Sequence, residues 1–527
     1  MNASLYFPEL QTLAATLPFH ARRQPTQIAL MSADGLLSYR ELNSLSNCSA
    51  RALKALGLPA FARVAYLGQE SAWYYELLFA CAKSGTVLVP INWRLAAEEV
   101  KHILLDSQAS VVLIEAGMIP LLQGIAAELD TMVVVVFGDG ESGSYPRLDA
   151  WRGVHGDDDL PLAAAPDDPI TQIYTSGTTG LPKGVILAHR SLFKVRDALH
   201  AHGEDWIDWR PGDLSLIGIP GFHVGGLWWS AQGFNAGITN VSMRTFVTST
   251  AVELIRRYQI TTACVVPAMI QMMLNEHGIG TADFTSLRKV VYGGSPISET
   301  LLDHAIRIMQ CEFAQIYGLT ETGNTAVCLP PAAHTPGDPR LKAAGRAYPG
   351  FALKIIDETG EVLAPGVVGE ICIRTPAHML GYWRLPQATA DTLIDGWIHT
   401  GDAGYLDEDG YVYVCDRLKD MIIVAGENVY PAEVENTLCK LPQVLEAAVI
   451  GMPDKRWGEV VVGFVVFRPG HTLSPREIRM AMKGMIADYK VPTHYEFLDQ
   501  VPRNPSGKIL RRVLRDRFWQ DQPRQVN

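Results

Sequence analysis

Short apolar runs alternate with longer segments of helical periodicity over the first 165 residues of the chain. A short continuous apolar run suits a buried strand, whereas apolar positions that recur every three to four residues suit a helix packed on one face. These segments cover residues 39–56, 64–68, 71–82, 87–91, 111–115 and 132–137. Their alternation predicts an α/β layered domain with a largely parallel sheet.

The same alternation returns near the carboxyl end of the chain. Segments with strand-like or helical patterns cover residues 421–424, 431–440, 447–451, 460–467 and 475–486. We therefore expect a second, small α/β domain of about one hundred residues. Between the early segments and the middle of the chain, residues 138–168 are rich in Gly, Asp and Pro and predict an exposed connection.

Residues 174–185, YTSGTTGLPKGV, interrupt the apolar pattern with small and polar side chains. An apolar run precedes them and a segment with helical spacing, 188–200, follows, which predicts a strand-to-helix loop. Glycines admit an anion close to the backbone, hydroxyls donate hydrogen bonds and a lysine adds positive charge, so the loop suits phosphate. It is not a Walker loop, because its lysine lies between Pro182 and Gly184. The candidate ligands are Thr175, Ser176, Gly177, Thr178, Thr179, Gly180 and Lys183.

A second polar segment, QIYGLTETG, covers residues 315–323. Tyr317 can stack on a purine, Thr320 can donate to a phosphate oxygen and Glu321 can hold a hard cation such as Mg²⁺. Upstream, a buried strand opens into Gly-Gly-Ser-Pro at 293–296, whose glycines permit flat stacking of an adenine ring. A simple tight turn is the alternative for that tetrapeptide.

Large apolar side chains follow a histidine in the middle of the chain. His223 precedes two glycines, Gly225 and Gly226, and Trp228 and Trp229 come next. Such surface suits an acyl or aryl group. Packing in the core is the alternative for the histidine and for both tryptophans.

Composition and charge narrow the class of protein. The chain has 527 residues, 48% hydrophobic and 19% charged, which fits a globular enzyme of two or more domains. A net charge of −11 disfavours nucleic acid as a partner. Eight scattered cysteines without a CxxC pair indicate reduced thiols rather than a disulfide framework or a metal site. We expect a cytoplasmic protein without a secretion signal or membrane span. Peripheral contact with a membrane and the oligomeric state, a dimer included, are left open.

The string YTSGTTGLPKGV resembles the phosphate loop of the adenylate-forming superfamily, which includes acyl-CoA synthetases, 4-coumarate-CoA ligases, firefly luciferase and peptide-synthetase adenylation domains. QIYGLTETG, Thr400-Gly401-Asp402, Asp416 to Asp420 and VPRNPSGKI also match motifs of that family, in the same order. The resemblance therefore covers nearly the whole chain, up to Lys508, and is closest in type to acyl-CoA synthetases.

The resemblance implies roles for individual residues. Asp402 would bind the ribose hydroxyls, Arg417 would reach the ribose or a phosphate, and Lys508 would be the catalytic lysine, helped by Thr320, Glu321 and His223. The implied metal ligand is Glu321. The implied ATP- and AMP-binding residues are Thr175, Ser176, Gly177, Thr178, Thr179, Gly180, Lys183, Gly293, Gly294, Ser295, Pro296, Gln315, Tyr317, Gly318, Thr320, Asp402, Arg417 and Lys508. The implied acyl pocket is His223, Gly226, Trp228, Trp229, Gly294 and Gly318.

The resemblance also implies a domain arrangement. A large multi-sheet α/β domain, residues 1–415, would bind ATP and the carboxylate, and a small mobile α/β domain, residues 421–527, would carry the catalytic lysine. A hinge at 416–420 would join them, with Lys419 as the pivot. After the small domain turns, Gly426, Glu427 and Trp457 would line the approach of CoA.

The implied activity is that of a carboxylate-CoA ligase with ATP, Mg²⁺ and CoA. The acid and ATP would give an acyl-adenylate and pyrophosphate, and CoA would then displace AMP. A medium-to-long-chain fatty acid or an aryl or other hydrophobic acid is expected. One alternative is a stand-alone enzyme that loads the acyl group onto a carrier protein, and another is a non-catalytic nucleotide-binding regulator.

Overall fold

The computed structural model describes residues 5–125, 131–175, 182–425, 427–454, 456–503 and 508–519. The strands are β1 Ile28–Ser32, β2 Gly35–Ser38, β3 Arg63–Leu67, β4 Val87–Ile91, β5 Val111–Glu115, β6 Val133–Phe137, β7 Pro169–Thr175, β8 Lys183–Ala188, β9 Leu214–Ile217, β10 Thr239–Ser242, β11 Thr262–Val265, β12 Lys289–Gly293, β13 Glu312–Tyr317, β14 Val327–Leu329, β15 Arg346–Ala347, β16 Ala352–Ile356, β17 Gly369–Arg374, β18 Gly381–Tyr382, β19 Leu393–Ile394, β20 Trp397–Leu406, β21 Val412–Arg417, β22 Ile422–Val424, β23 Glu427–Val429, β24 Val444–Asp454, β25 Gly458–Phe467 and β26 His494–Phe497. The α-helices are α1 Leu13–Arg23, α2 Tyr39–Ala55, α3 Ala72–Ser84, α4 Ala97–Asp106, α5 Leu148–Gly153, α6 His189–Ala201, α7 Val224–Ala236, α8 Thr248–Tyr258, α9 Pro267–Leu274, α10 Glu299–Met309, α11 Pro386–Thr392, α12 Pro431–Cys439, α13 Pro475–Met482 and α14 Arg511–Arg515.

The largest sheet has nine strands in the order β15-β14-β13-β12-β11-β9-β10-β1-β2. From β13 to β1 every pair of neighbours is parallel, and antiparallel pairs occur only toward the two edges. All residues of β10, β11 and β12 are buried, as expected for a parallel sheet covered by helices on both faces.

A seven-stranded sheet follows the order β18-β8-β7-β4-β3-β5-β6. Its strands from β7 to β6 pair in parallel, so the predicted α/β domain with a largely parallel sheet is confirmed for this part of the chain. The first two strands, β1 and β2, belong to the nine-stranded sheet instead, where β1 pairs with β10. The amino-terminal segments therefore contribute to two sheets rather than to one.

The glycine-rich segment does not connect a strand directly to a helix, and that part of the prediction is wrong. β7 and β8 form an antiparallel pair, with Thr175 opposite Lys183, so the segment joins the two strands of a hairpin. The helix α6 begins only after β8. The apolar run from Val185 to Ala188 explains the difference, because it pairs with β7 before the helical periodicity begins.

Two smaller sheets complete the fold. β16, β17, β20, β19 and β21 form one of them, and β23, β22, β25, β24 and β26 form the other. The last sheet, with α12, α13 and α14, has apolar clusters separate from the main core. These observations confirm the fold class, a large multi-sheet α/β part followed by a small α/β part. No helix of the described segments has the length and apolar character needed to cross a membrane.

The turn between the two parts is shorter than the predicted hinge. β21 extends through Arg417, so residues 416 and 417 of the predicted 416–420 hinge lie in a strand. Only residues 418–420 form a turn. The position of Lys419 within that turn keeps it as our candidate pivot.

Candidate functional site

A cavity of about 450 Å³ opens where the carboxyl ends of parallel strands meet. Ile219 follows β9, Val266 follows β11, Gly293 ends β12, and Ile316 and Gly318 lie at the end of β13. These strands are neighbours in the nine-stranded sheet, and ligands of open α/β sheets commonly bind at this edge. The cavity is thus where the fold favours a ligand.

The other sheets complete the walls of this cavity. The seven-stranded sheet contributes Thr175, Lys183 and Tyr382, one from each of β7, β8 and β18. The sheet that contains β17, β20 and β21 contributes Glu370, Ile398, His399, Thr400, Gly401 and Arg417. Lys419 and Lys508 reach the cavity from the turn and from the small carboxyl-terminal part. Residues that are far apart in the sequence therefore surround one space.

Lys508 lies among the charged groups of the cavity. The protein atoms around its ammonium group lower the pKa of Lys508, and Arg417 lowers it further, while Asp402 and Glu321 act in the opposite direction. The side chain remains accessible to solvent through the cavity. A cation so placed can stabilise negative charge that develops between two anionic reactants.

Asp402, Arg417 and Tyr317 form a connected group, of which Arg417 lines the cavity whereas Asp402 and Tyr317 are not among its lining residues. One carboxylate oxygen of Asp402 lies 2.7 Å from Nε of Arg417, and the other accepts a hydrogen bond of 2.8 Å from the Tyr317 hydroxyl. Asp402 is buried, and burial together with its charge raises the pKa of Tyr317. Each carboxylate oxygen can accept a second bond, so Asp402 keeps the capacity to bind a diol.

Glu321 and Lys183 are linked through Tyr382. The Tyr382 hydroxyl donates a hydrogen bond of 2.7 Å to Glu321, and the Lys183 ammonium lies 5.1 Å from the centre of the same ring. Burial, and then the charge of Glu321, raise the pKa of Tyr382, so its hydroxyl keeps its proton. One aromatic side chain thus fixes a candidate cation ligand and supports a candidate phosphate ligand.

His223 immediately precedes α7 and lines the cavity. Burial lowers its pKa to about 3, with further lowering by the charges of Lys508 and Arg94, so its ring is neutral near pH 7. Its Nε2 atom is buried and has no hydrogen-bond partner among the described residues. A neutral imidazole in the cavity wall can contact a ligand without adding charge.

The predicted acyl pocket needs a correction at three positions. Trp228 and Trp229 are fully buried on α7 and belong to the main core, and neither lines the cavity. Gly226 lies in the first turn of the same helix, where an added Cβ would come within 2.1 Å of the Ile219 carbonyl oxygen. It allows a close packing of backbones and forms no opening. His223, Gly225, Gly294 and Gly318 do line the cavity, together with the apolar Ile219, Val224, Val266, Ile316 and Leu319.

The remaining predicted residues fall into four groups. Gly293 and Thr320 line the cavity, whereas Ser295, Pro296 and Gln315 do not, and the Gln315 amide oxygen instead accepts a hydrogen bond from Tyr292. Glu427 and Trp457 are exposed at the surface, away from the cavity lining. Ser176, Gly177, Thr178, Thr179, Gly180 and Gly426 lie outside the described residues.

Sequence reasoning missed a group of residues on β17 and β20. His399 Nδ1 lies 3.0 Å from a carboxylate oxygen of Glu370, and Cys372 lies beside them, with all three ligand-type atoms within 4.8 Å of one another. Burial raises the pKa of Cys372 to about 12, which keeps the thiol neutral and suits packing better than metal binding. Cross-strand pairing of Cys372 with His399 brings this group together. The sequence around neither residue contains a motif that would predict it.

Comparison with known proteins places the chain in a family. The model of the AMP-binding enzyme family matches residues 17–383, and the model of the AMP-binding enzyme C-terminal domain matches residues 433–508. The chain belongs to the AMP-binding enzymes. The resemblance to adenylate-forming enzymes is thereby confirmed, and the protein is an adenylate-forming ligase that uses ATP to activate a carboxylic acid.

Individual relatives cover almost the entire chain. It is 59% identical over 99% of its length to the fatty acid–[acyl-carrier-protein] ligase ScoC of Streptomyces coeruleorubidus, of which it covers 99%. It is 37% identical to the indoleacetate–CoA ligase of Aromatoleum aromaticum, with 94% of this chain and 96% of the relative covered. Among solved structures, the anthranilate CoA ligase AuaEII in complex with anthranoyl-AMP aligns with a TM-score of 0.88 and 27% identity, covering 98% of both chains.

Proposed function

We propose that this AMP-binding enzyme adenylates a fatty acid and transfers the acyl group to the phosphopantetheine thiol of an acyl carrier protein. The 59% identity to ScoC, a fatty acid–[acyl-carrier-protein] ligase, over 99% of both chains carries the choice of acid and of thiol. The apolar walls of the cavity, which include Ile219, Val266 and Ile316, support a hydrocarbon substrate. The carrier protein, an alternative in the sequence analysis, thereby replaces CoA, the thiol that the family resemblance implied.

The first half-reaction joins two anions. A carboxylate oxygen attacks the α-phosphorus of ATP, a new P–O bond forms, and the bond to the bridging oxygen breaks as pyrophosphate leaves. Lys508 would stabilise the charge shared by the carboxylate and the α-phosphate, and Lys183 would bind the outgoing phosphates. Asp402 would accept hydrogen bonds from the ribose hydroxyls. Arg417 would hold the Asp402 carboxylate in place through the 2.7 Å ion pair between the two side chains.

The part of the cavity wall that contains Glu321 fits a magnesium ion. Glu321 offers a carboxylate in the cavity wall, and Tyr382 fixes its orientation through a 2.7 Å hydrogen bond. When bound, Mg²⁺ neutralises phosphate charge, and Glu321 would be its protein ligand. Few protein ligands are needed, because Mg²⁺ keeps several waters and takes phosphate oxygens as well.

The second half-reaction needs a thiol at the acyl carbonyl. The thiol loses its proton to solvent, its sulfur forms a bond to that carbon, the bond to the AMP oxygen breaks, and AMP leaves. Lys508 occupies the cavity in the present arrangement, so we propose that the small part, residues 421–527, turns about Lys419 to admit the thiol. In this proposal Gly426, Glu427 and Trp457 line the approach of the pantetheine arm.

Parallel acceptor assays test the proposal. The protein is mixed with ATP, Mg²⁺ and saturated fatty acids from acetate upward, with holo carrier protein, apo carrier protein or CoA as the thiol source. Pyrophosphate release reports adenylation, intact mass of the carrier reports its acylation, and chromatography reports acyl-CoA. We expect acylated holo carrier, no acylated apo carrier, and a rate that rises with chain length until the cavity is filled.

The same assays distinguish the alternatives. Acylation of CoA about ten-fold faster than acylation of the holo carrier would favour an acyl-CoA synthetase, the second candidate, which the 37% identity to the indoleacetate–CoA ligase supports. If none of the fatty acids in the series supports pyrophosphate release, the assignment of a fatty acid substrate is wrong.

A further inference from the structure

A buried carboxylate connects the large part of the molecule to two helices of the small part, α12 and α14. Asp416 lies on β21, where its backbone pairs with Ala403 of β20 in the sheet beside the cavity. Its side chain points into the small part and is only 5% exposed. Asp416 therefore belongs to one part by its backbone and to the other by its contacts.

The first contact of Asp416 is with the beginning of α12. Its Oδ2 accepts a hydrogen bond of 2.9 Å from the backbone N–H of Ala432, the second residue of that helix. The residue before the helix, Tyr430, provides no side-chain cap. A carboxylate at a helix amino terminus satisfies an unpaired N–H group and interacts favourably with the helix dipole. Asp416 thus caps α12 from outside the small part.

The second contact is with Arg511, the first residue of α14 and only three residues after Lys508. The closest nitrogen of Arg511 lies 3.7 Å from Asp416, and the same guanidinium binds both carboxylate oxygens of Glu435 at 2.8 and 2.9 Å. Glu435 lies on α12, within the small part. Arg511 therefore joins three carboxylates: Asp416 from the large part, Asp420 from the turn at 3.9 Å and Glu435 from the small part.

We propose that Asp416 is a positioning residue that holds the small part in the orientation in which Lys508 enters the cavity. It acts through Ala432 and Arg511 and does not touch the reacting atoms. The proposal rests on the proposed function, in which adenylation needs Lys508 in the cavity and thiol transfer needs the small part to turn. Asp416 should then support adenylation and contribute little to thiol transfer.

Two substitutions of Asp416 and one matched control test this role. Asp416→Ala removes both contacts, Asp416→Asn keeps an acceptor for Ala432 but removes the charge facing Arg511, and Glu435→Gln removes charge from the same arginine inside the small part. Each variant is assayed for pyrophosphate release from ATP and acid, and separately for thioester formation from supplied acyl-adenylate. We expect Asp416→Ala to slow adenylation roughly ten-fold or more and Asp416→Asn to slow it less, while both keep near-normal thiol transfer.

The control separates positioning from general damage. Glu435→Gln should change the two half-reactions by the same factor, because it weakens the small part in every orientation. Equal slowing of both half-reactions by both Asp416 variants, or normal adenylation in Asp416→Ala, would overturn the proposal. Failure of the unmodified enzyme to release pyrophosphate would instead contradict the proposed function, so the two failures are distinguishable.

Discussion

At the scale of single residues, the proposed first half-reaction assigns the charge of Lys508 a direct role. Lys508→Ala should lower the rate of adenylation by a factor of about 10²–10³ and spare thioester formation from supplied acyl-adenylate, because the cation is needed where two anions meet. Lys483→Ala, which removes an exposed lysine elsewhere on the small part, is the control and should leave both rates unchanged. Equal loss of both half-reactions would contradict this assignment.

The pH profile checks the same residue. Because the pKa of Lys508 is lowered from 10.5, its charge is lost as pH rises through a value below that of an ordinary lysine. Adenylation by the unmodified enzyme should fall over that range. Lys508→Arg, whose guanidinium keeps its charge, should show a flatter profile.

Glu321 and Tyr382 should act together on the magnesium requirement. Glu321→Gln removes the charge facing the cation, and Tyr382→Phe removes only the hydroxyl that orients Glu321 and keeps the ring near Lys183. We expect the Mg²⁺ concentration for half-maximal pyrophosphate release to rise about ten-fold in Tyr382→Phe and further in Glu321→Gln.

Another phenol–carboxylate pair provides the control for that titration. The Tyr413 hydroxyl donates to Asp407 at 3.3 Å, and neither residue lines the cavity. Tyr413→Phe should therefore leave the Mg²⁺ titration unchanged. An unchanged titration in Glu321→Gln would remove Glu321 from the cation site.

At the scale of elements, the two glycines in the first turn of α7 have different tasks. An added Cβ at Gly225 would lie 3.3 Å from the flexible end of Ile219, beside the cavity, whereas at Gly226 it would lie 2.1 Å from a backbone oxygen. Gly225→Ala should fold normally and shift the preference toward shorter acids. Gly226→Ala should lower the melting temperature or the soluble yield, since backbone cannot move aside as a side chain can.

Thermal unfolding and a chain-length series measure both variants. A stable Gly226→Ala enzyme with altered acid preference would contradict this division and restore Gly226 to the pocket.

The same helix illustrates why residue type alone misleads. Two adjacent tryptophans suggest a ligand surface, yet α7 is buried on nearly all sides and uses both indoles for packing, with Trp229 donating to Ser215 at 2.8 Å.

At the scale of the whole molecule, four cationic side chains reach one cavity of an acidic chain, beside the carboxylates of Glu321, Glu370 and Asp391. The net charge is −11, yet Lys183, Arg417, Lys419 and Lys508 all line the same space. They come from β8, β21, the turn after it and the carboxyl-terminal segment, so folding rather than local composition concentrates them. In the proposed reaction these cations would orient the polyphosphate of ATP although the net charge of the chain is negative.

The sequence by itself determined much of the architecture. Apolar runs at 87–91 and 111–115 are observed as β4 and β5 with those bounds, because short runs bounded by polar residues have few other ways to be buried. The motifs also identified the family and named Thr175, Lys183, Glu321, Arg417 and Lys508, all of which line the cavity. Each motif is a short continuous stretch, so its residue types and spacing can be recognised in the sequence alone.

Only the tertiary structure decided which residues meet across long separations. The contacts of Tyr382 with Glu321, of Asp416 with Arg511 and of Glu370 with His399 depend on strand pairing and on the packing of the small part against the large one. Burial determined the role of Trp228 and Trp229, since the same apolar side chain can line a pocket or fill a core. The sequence specifies which side chains leave water, and the packing of sheets and helices determines what they contact instead.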